Sequence, residues 1–158
     1  MAADQISKYL IIHKIGYMGA ITVIPNVFNL TYVLNDGAAF SILKGKGLLF
    51  IIMTILTLLL ISLLLPTIRA VSKGKSRWLL IPLAFLCAGA LGNFIDRLRL
   101  GAVVDFLSFW QFPVFNLADA MLVCSAIVLG VSLLFGRIRL DFLQPFSKNE
   151  QPDNKDEE

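Results

Sequence analysis

Two aspartates, Asp105 and Asp119, are the residues in this chain best suited to do chemistry. They lie 14 positions apart, each after an apolar or small stretch, in Val103-Val104-Asp105 and Phe115-Asn116-Leu117-Ala118-Asp119. A short re-entrant or surface loop of that length can bring them together. Two carboxylates a few Å apart do not both ionise and so share a proton. The ionised one can take a proton from water while the neutral one donates to a scissile carbonyl, which is aspartic-protease chemistry and needs no cofactor. Spacing alone also allows a purely structural account. Asp119 would cap the helix that follows it, and Asp105 would pair with Arg97 or Arg99.

Other chemistries find little to work with. A serine-histidine arrangement would depend on the one histidine, His13, which sits in an ordinary polar stretch. There is no His/Cys cluster with zinc-ligand spacing and no phosphate-cradling glycine loop, so neither a metal nor a cofactor is expected. Cys87 and Cys124 lie inside apolar runs and read as packing residues. The net charge of +3 comes with no basic stripe interleaved with aromatics, which argues against a nucleic-acid partner. Asn93, Asp96 and Arg97 stand at i, i+3 and i+4 and share a helix face. They read either as site residues or as an interfacial ion pair closing the helix. Asp4 and Lys8 have the favourable i, i+4 order if their segment is helical.

The elements that must position these groups belong to a membrane protein. The chain is 57% hydrophobic and 16% charged, outside the balance of a soluble domain. Leu48–Leu65, Trp78–Ile95 and Leu117–Phe135 are apolar runs of about 18–19 residues, roughly 27–28 Å as helix and close to the hydrocarbon thickness of a bilayer. Ala84, Ala88 and Gly92 form a small-residue row on the second, suited to close helix packing. Arg69, Lys73, Lys75 and Arg77 follow the first run, and Arg137 and Arg139 follow the last. The positive-inside rule places both segments in the cytoplasm. Residues 1–47 and the loop Asp96–Asn116 then share the outer face, as do five of the 11 acids: Asp4, Asp36, Asp96, Asp105 and Asp119. In the outer N-terminal region, Phe28, Leu30, Tyr32 and Leu34 alternate with polar residues as in a half-buried strand. Asp36-Gly37 signals a hairpin with a return strand over Ala38–Leu43. Residues 1–136 form one membrane-embedded domain on this reading, and the polar, acidic end at 137–158 is a cytoplasmic tail.

Five blocks together resemble bacterial lipoprotein signal peptidase, the signal peptidase II family. They are Asp4-Gln5-Ile6-Ser7-Lys8, Asn35-Asp36-Gly37-Ala38-Ala39-Phe40-Ser41, Gly92-Asn93-Phe94-Ile95-Asp96-Arg97, Val103-Val104-Asp105-Phe106 and Phe115-Asn116-Leu117-Ala118-Asp119, in the family's order. The resemblance implies an all-α polytopic membrane protein, a four-helix bundle carrying a small periplasmic β-hairpin or cradle, of which three full spans are visible here. It implies that Asp105 and Asp119 are the catalytic dyad. Asn35, Gly37, Asn93, Asp96, Arg97 and Asn116 would line or support the site, with Asp4 and Lys8 bracing it. The substrate implied is a prolipoprotein cut just before a diacylglyceryl-modified cysteine, at the outer face of the inner membrane and in contact with membrane lipids. The family's first motif normally ends a transmembrane helix, so a further N-terminal helix of about 15–20 residues is expected upstream of Met1. The rival class is a small membrane carrier that uses the one-face carboxylate cluster as a proton site. A non-catalytic membrane scaffold is a second rival, and it would tolerate Asp to Asn at both positions.

Overall fold

The computed structural model describes residues 1–37, 47–71 and 79–134. In chain order these form α1 (Ala2–Lys14), β1 (Ala20–Ile24), β2 (Phe28–Asn35), α2 (Gly47–Val71), α3 (Leu80–Leu100), β3 (Val103–Phe109) and α4 (Leu117–Leu134). The three long helices coincide with the three apolar runs. Among the described residues, Leu80–Leu100 is the one helix both long and apolar enough to cross a bilayer, with shorter apolar stretches at Leu48–Leu63 and Leu117–Ser132.

The packing is inverted relative to a water-soluble domain. Leu48, Ile52, Leu59 and Leu63 on α2, and Val123, Ile127 and Val131 on α4, are exposed, whereas Asp4, Lys8, Asn93, Asp96, Asp105 and Asn116 are buried. Apolar helix surface left open on this scale needs a partner that is itself apolar.

Helix α1 is short and lies against the sheet. Its first-turn Asp4 and last-turn Lys14 match the helix dipole. Asp4, Lys8 and Ile11 recur at i, i+4 and i+7, so they fall on one buried face. Ile11 and Ile15 form a small core with Val104 and Phe106 of β3. Leu30, Tyr32 and Leu34 of β2 pack onto it. These are three of the four residues expected on the inner face of that strand.

The sheet has the order β1-β2-β3 and is antiparallel throughout. Two features depart from expectation. The hairpin partner of β2 is β1, which precedes it; the return strand expected over Ala38–Leu43 lies outside the described residues. The turn that makes this hairpin is Ile24-Pro25-Asn26-Val27, with Asn26 at φ 60° and Val27 N–H bonded to Ile24 O at 3.1 Å. Proline then asparagine at the central positions is the chemistry of a type II turn. The segment Asp96–Asn116, expected as a loop, is also mostly regular. α3 runs on to Leu100 and stops at Gly101, whose φ of 71° is the left-handed conformation of a helix end. β3 follows, and its first four residues are all buried. With both faces covered, a strand shows no polar-apolar alternation and escapes a periodicity search.

Candidate active site

The 13 residues between Asp105 and Asp119 are closed by a backbone clamp. After β3 the chain turns at Trp110 and comes back, so that Phe115 lies alongside the strand it has just left. Phe106 N–H and Leu107 N–H both donate to Phe115 O (3.0 and 2.7 Å), and Phe115 N–H donates to Leu107 O (3.1 Å). That places Asn116 beside Asp105, and α4 begins at the next residue.

Asn116 then joins the two aspartates. Its Nδ2 donates to Asp105 Oδ1 at 2.7 Å. Its Oδ1 accepts from Asp119 N–H at 2.9 Å, while its own N–H donates to Asp119 Oδ2 at 3.3 Å. The last two bonds are a reciprocal capping box at the start of α4. Asp119 therefore does cap its helix, and the same geometry points it at the site. The remaining carboxylate oxygens are held by two further amides. Asn35 Nδ2 donates to Asp105 Oδ2 at 2.9 Å, and Asn93 Nδ2 donates to Asp119 Oδ1 at 2.7 Å. Asn35 reaches Asp105 because β2 pairs Val33 with Asp105, making Asn35 its diagonal neighbour on the same face. A register shift between Leu30 and Val33 sets this alignment. Thr31 and Tyr32 oppose the single residue Phe106, which is a β-bulge. Asn35 is itself fixed by Gly37 N–H, which donates to its Oδ1 at 3.0 Å.

Behind this layer lies a buried ion cluster. Lys8 Nζ sits 3.0 Å from Asp4 Oδ2 and 2.8 Å from Asp96 Oδ2, and it donates to Asn93 Oδ1 at 3.1 Å. Asn93 Oδ1 also accepts from Asn116 Nδ2 at 3.2 Å. The lysine charge is thus one amide away from Asp119, through Asn93, and two away from Asp105, through Asn93 and Asn116. The two pairings of the purely structural account do not form among the described residues. Asp105 does not pair with Arg97 or Arg99, and Asp96 pairs with Lys8 rather than with Arg97. The reason is geometric. Asp96 and Lys8 face the interior, whereas the Arg97 guanidinium lies over the Phe50 ring, 4.7 Å from its centre.

Burial pushes the Asp105 carboxyl up to about 6. The bond from Asn35 opposes the rise, the Asp119 charge adds to it, and Asn116 and Lys8 pull it back. Both aspartates open onto a cavity of about 810 Å³ between α2, α3, α4 and β3. Asn35, Gly37, Asn93 and Arg97 line it, together with the apolar Met53, Leu122 and Val123. Among the described residues, no group of three or more His, Cys, Asp or Glu is placed to hold a metal ion.

Comparison with known proteins decides the family. The family model described as signal peptidase (SPase) II matches residues 1–135. The chain belongs to the signal peptidase II family. A lipoprotein signal peptidase of Latilactobacillus sakei is 43% identical over 136 residues, covering 85% of this chain and 87% of the relative. One from Enterococcus faecalis is 42% identical, covering 83% and 80%. A bacterial membrane enzyme solved by the in meso method at 2.3 Å resolution superposes with a TM-score of 0.79 at 35% identity, covering 86% of this chain and 83% of that one.

Nine of the ten residues singled out in the sequence are joined by hydrogen bonds and ion pairs, and the tenth, Arg97, shares the cavity while lying over Phe50. Asn35, Gly37, Asn93, Arg97, Asp105 and Asp119 reach the cavity. Asp4, Lys8, Asp96 and Asn116 stand behind it and are almost wholly inaccessible. Gln5, a member of the first block, joins the cluster as well. Its amide lies 3.0–3.2 Å from Asp96 Oδ1, Asp4 Oδ2 and Gly92 O. The available signal was its position in a helical turn between two charged residues one turn apart, where a side chain of that reach meets whatever they meet.

Proposed function

We propose that the chain is a membrane aspartic endopeptidase that removes signal peptides from prolipoproteins, cutting before a diacylglyceryl-modified cysteine with Asp105 and Asp119 as its catalytic pair. One observation carries this reading. Asn116 bonds both aspartates, and both open onto one cavity lined by polar and apolar side chains.

The chemistry follows from the hydrogen bonding. Each carboxylate keeps both oxygens on fixed donors, so neither can rotate away when a substrate enters. The pair holds one proton between two groups and titrates as a unit. Its ionised member draws a proton from the attacking water. Its neutral member donates to the scissile carbonyl oxygen. Collapse of the tetrahedral intermediate then returns a proton to the leaving amine. The apolar lining of the cavity suits the apolar residues of a signal peptide or the acyl chains on the cysteine.

The topology supports a site at a membrane face. With α2, α3 and α4 as spans, the basic segment after α2 is cytoplasmic, and β1–β3 with the dyad lie outside. The enzyme is then a multi-pass inner-membrane protein that cuts at the outer face, and residues 137–158 are its cytoplasmic tail. The carrier alternative gains nothing from the family assignment.

The test uses purified protein in lipid and a diacylglyceryl-modified peptide spanning the cleavage site. Cleavage on the amino side of the modified cysteine is expected, with none by Asp119→Asn. Near-normal turnover by that variant would remove the dyad.

A further inference from the structure

We propose that Gln5 is a positioning residue of this site, setting the placement of both aspartates through the two carboxylates it ties together. The inference rests on the dyad proposed above and extends it to a residue with no assigned role.

Charge in the buried cluster does not balance by itself, because Lys8 is one cation between two carboxylates, Asp4 and Asp96. The second negative charge must be held by neutral donors. The Gln5 amide supplies them, with Nε2 3.0 Å from Asp96 Oδ1 and 3.2 Å from Asp4 Oδ2. Each carboxylate oxygen has an assigned partner. Asp4 Oδ1 accepts from Ala118 N–H at 3.0 Å, and Asp96 Oδ2 accepts from Val104 N–H at 3.2 Å as well as meeting Lys8. Among the described residues, Gln5 is the one donor recorded on Asp96 Oδ1.

The backbone groups at the far side of this network sit next to the reacting groups. Ala118 immediately precedes Asp119, and Val104 immediately precedes Asp105. Asp4 therefore fixes the start of α4, Asp96 fixes the start of β3, and Gln5 links the two. Without its amide, Asp96 Oδ1 is left unpartnered in a side chain that is 2% exposed. The carboxylate then turns to recover a donor and loses its hold on Val104 N–H. A displacement of about 1 Å in a reacting group can cost roughly 100-fold in rate. The charged groups that face Gln5 are Asp4 and Lys8 on its own helix and Asp96 on α3. α4 and β3 contribute the two backbone N–H groups.

The experiment compares full-length wild type, Gln5→Met and Gln5→Glu in lipid, with the same lipopeptide, across pH. Methionine keeps the volume and removes the donors. Ionised glutamate adds a third acid around one lysine, and when protonated it regains one donor. The expected result is a kcat roughly 10- to 100-fold lower for Gln5→Met with KM unchanged. The Gln5→Glu to Gln5→Met activity ratio should rise as pH falls. Thermal unfolding measured alongside separates loss of folded protein from loss of turnover. Wild-type kcat in Gln5→Met, a loss matching only the unfolded fraction, or a ratio flat with pH would each overturn the proposal. Failure of wild type to cut the lipopeptide would instead defeat the dyad reading.

Discussion

Replacing Asp105 by asparagine should abolish cleavage yet leave the protein no less stable at pH 8, with the stability difference reversing in acid. Asp105 is 2% exposed, and its carboxyl is pushed from 3.8 to about 6, chiefly by burial. A raised carboxyl contributes stability that is present below the unfolded value of 3.8 and lost as pH rises through about 6. At about 1.4 kcal/mol per pH unit, that gap makes the ionised group cost about 3 kcal/mol by pH 8. Asparagine removes this cost. It adds another, because Asn35 and Asn116 both donate to Asp105 and an amide offers one acceptor oxygen. Neither neighbour can flip to help. Asn35 Oδ1 is held by Gly37 N–H and Asn116 Oδ1 by Asp119 N–H. The donor-donor conflict is worth roughly 1–3 kcal/mol. The variant should therefore match or exceed wild type by up to about 2 kcal/mol at pH 8 and fall below it near pH 4. Reversible unfolding of both proteins in mixed micelles at the two pH values measures this. A stability difference independent of pH would refute the buried-charge account of Asp105, whatever happens to activity.

Asn116→Ala removes a donor from Asp105 and the cap of α4 together, so cleavage should fall at least 100-fold and stability by about 1 kcal/mol; turnover and unfolding midpoints check both. Gly92→Ala should destabilise by roughly 1–3 kcal/mol. A Cβ there would stand 2.6 Å from Asp4 Oδ2, and that carboxylate cannot retreat without leaving Lys8 or Ala118. Chelators and serine-directed inactivators should leave activity unchanged, and stoichiometric zinc in active enzyme would contradict this.

The parts of this molecule that could be read from sequence are those whose signal is one-dimensional. Leu48–Leu65 and Leu117–Phe135 declare themselves by long runs of apolar residues, of which only the second holds a charged side chain, Asp119, and β2 by the alternation through Tyr32 and Leu34. β1 stayed hidden because Ala20–Ile24 is exposed on both faces and has no buried side to pattern. β3 stayed hidden for the opposite reason, since Val103–Phe106 is buried on both. The site residues were legible as types and blocks, but their wiring was not. The i, i+4 spacing announced that Lys8 would meet Asp4, but no spacing rule reveals that it would also meet Asp96, or that Phe115 would fold back on Leu107 to carry Asn116 to Asp105. These are consequences of tertiary register.

That wiring also bears on why a cluster of buried charge is tolerated. Replacing a buried ion pair by apolar residues is often neutral or stabilising, so a salt bridge alone is weak ground for its retention. Here the carboxylates do something apolar side chains cannot. Asp4 accepts the Ala118 N–H at the start of α4, where the first helical N–H groups lack intrahelical partners. Asp96 accepts Val104 N–H where β3 begins. If α2, α3 and α4 cross the bilayer as proposed, lipid offers those N–H groups no water to fall back on, and an unsatisfied one costs several kcal/mol. The ion cluster then serves two ends through the same bonds. It closes the polar accounts of the backbone at the head of the bundle, and in doing so it fixes the two segments that carry Asp105 and Asp119. A substitution that keeps the fold by filling this space with apolar atoms should therefore still lose the site.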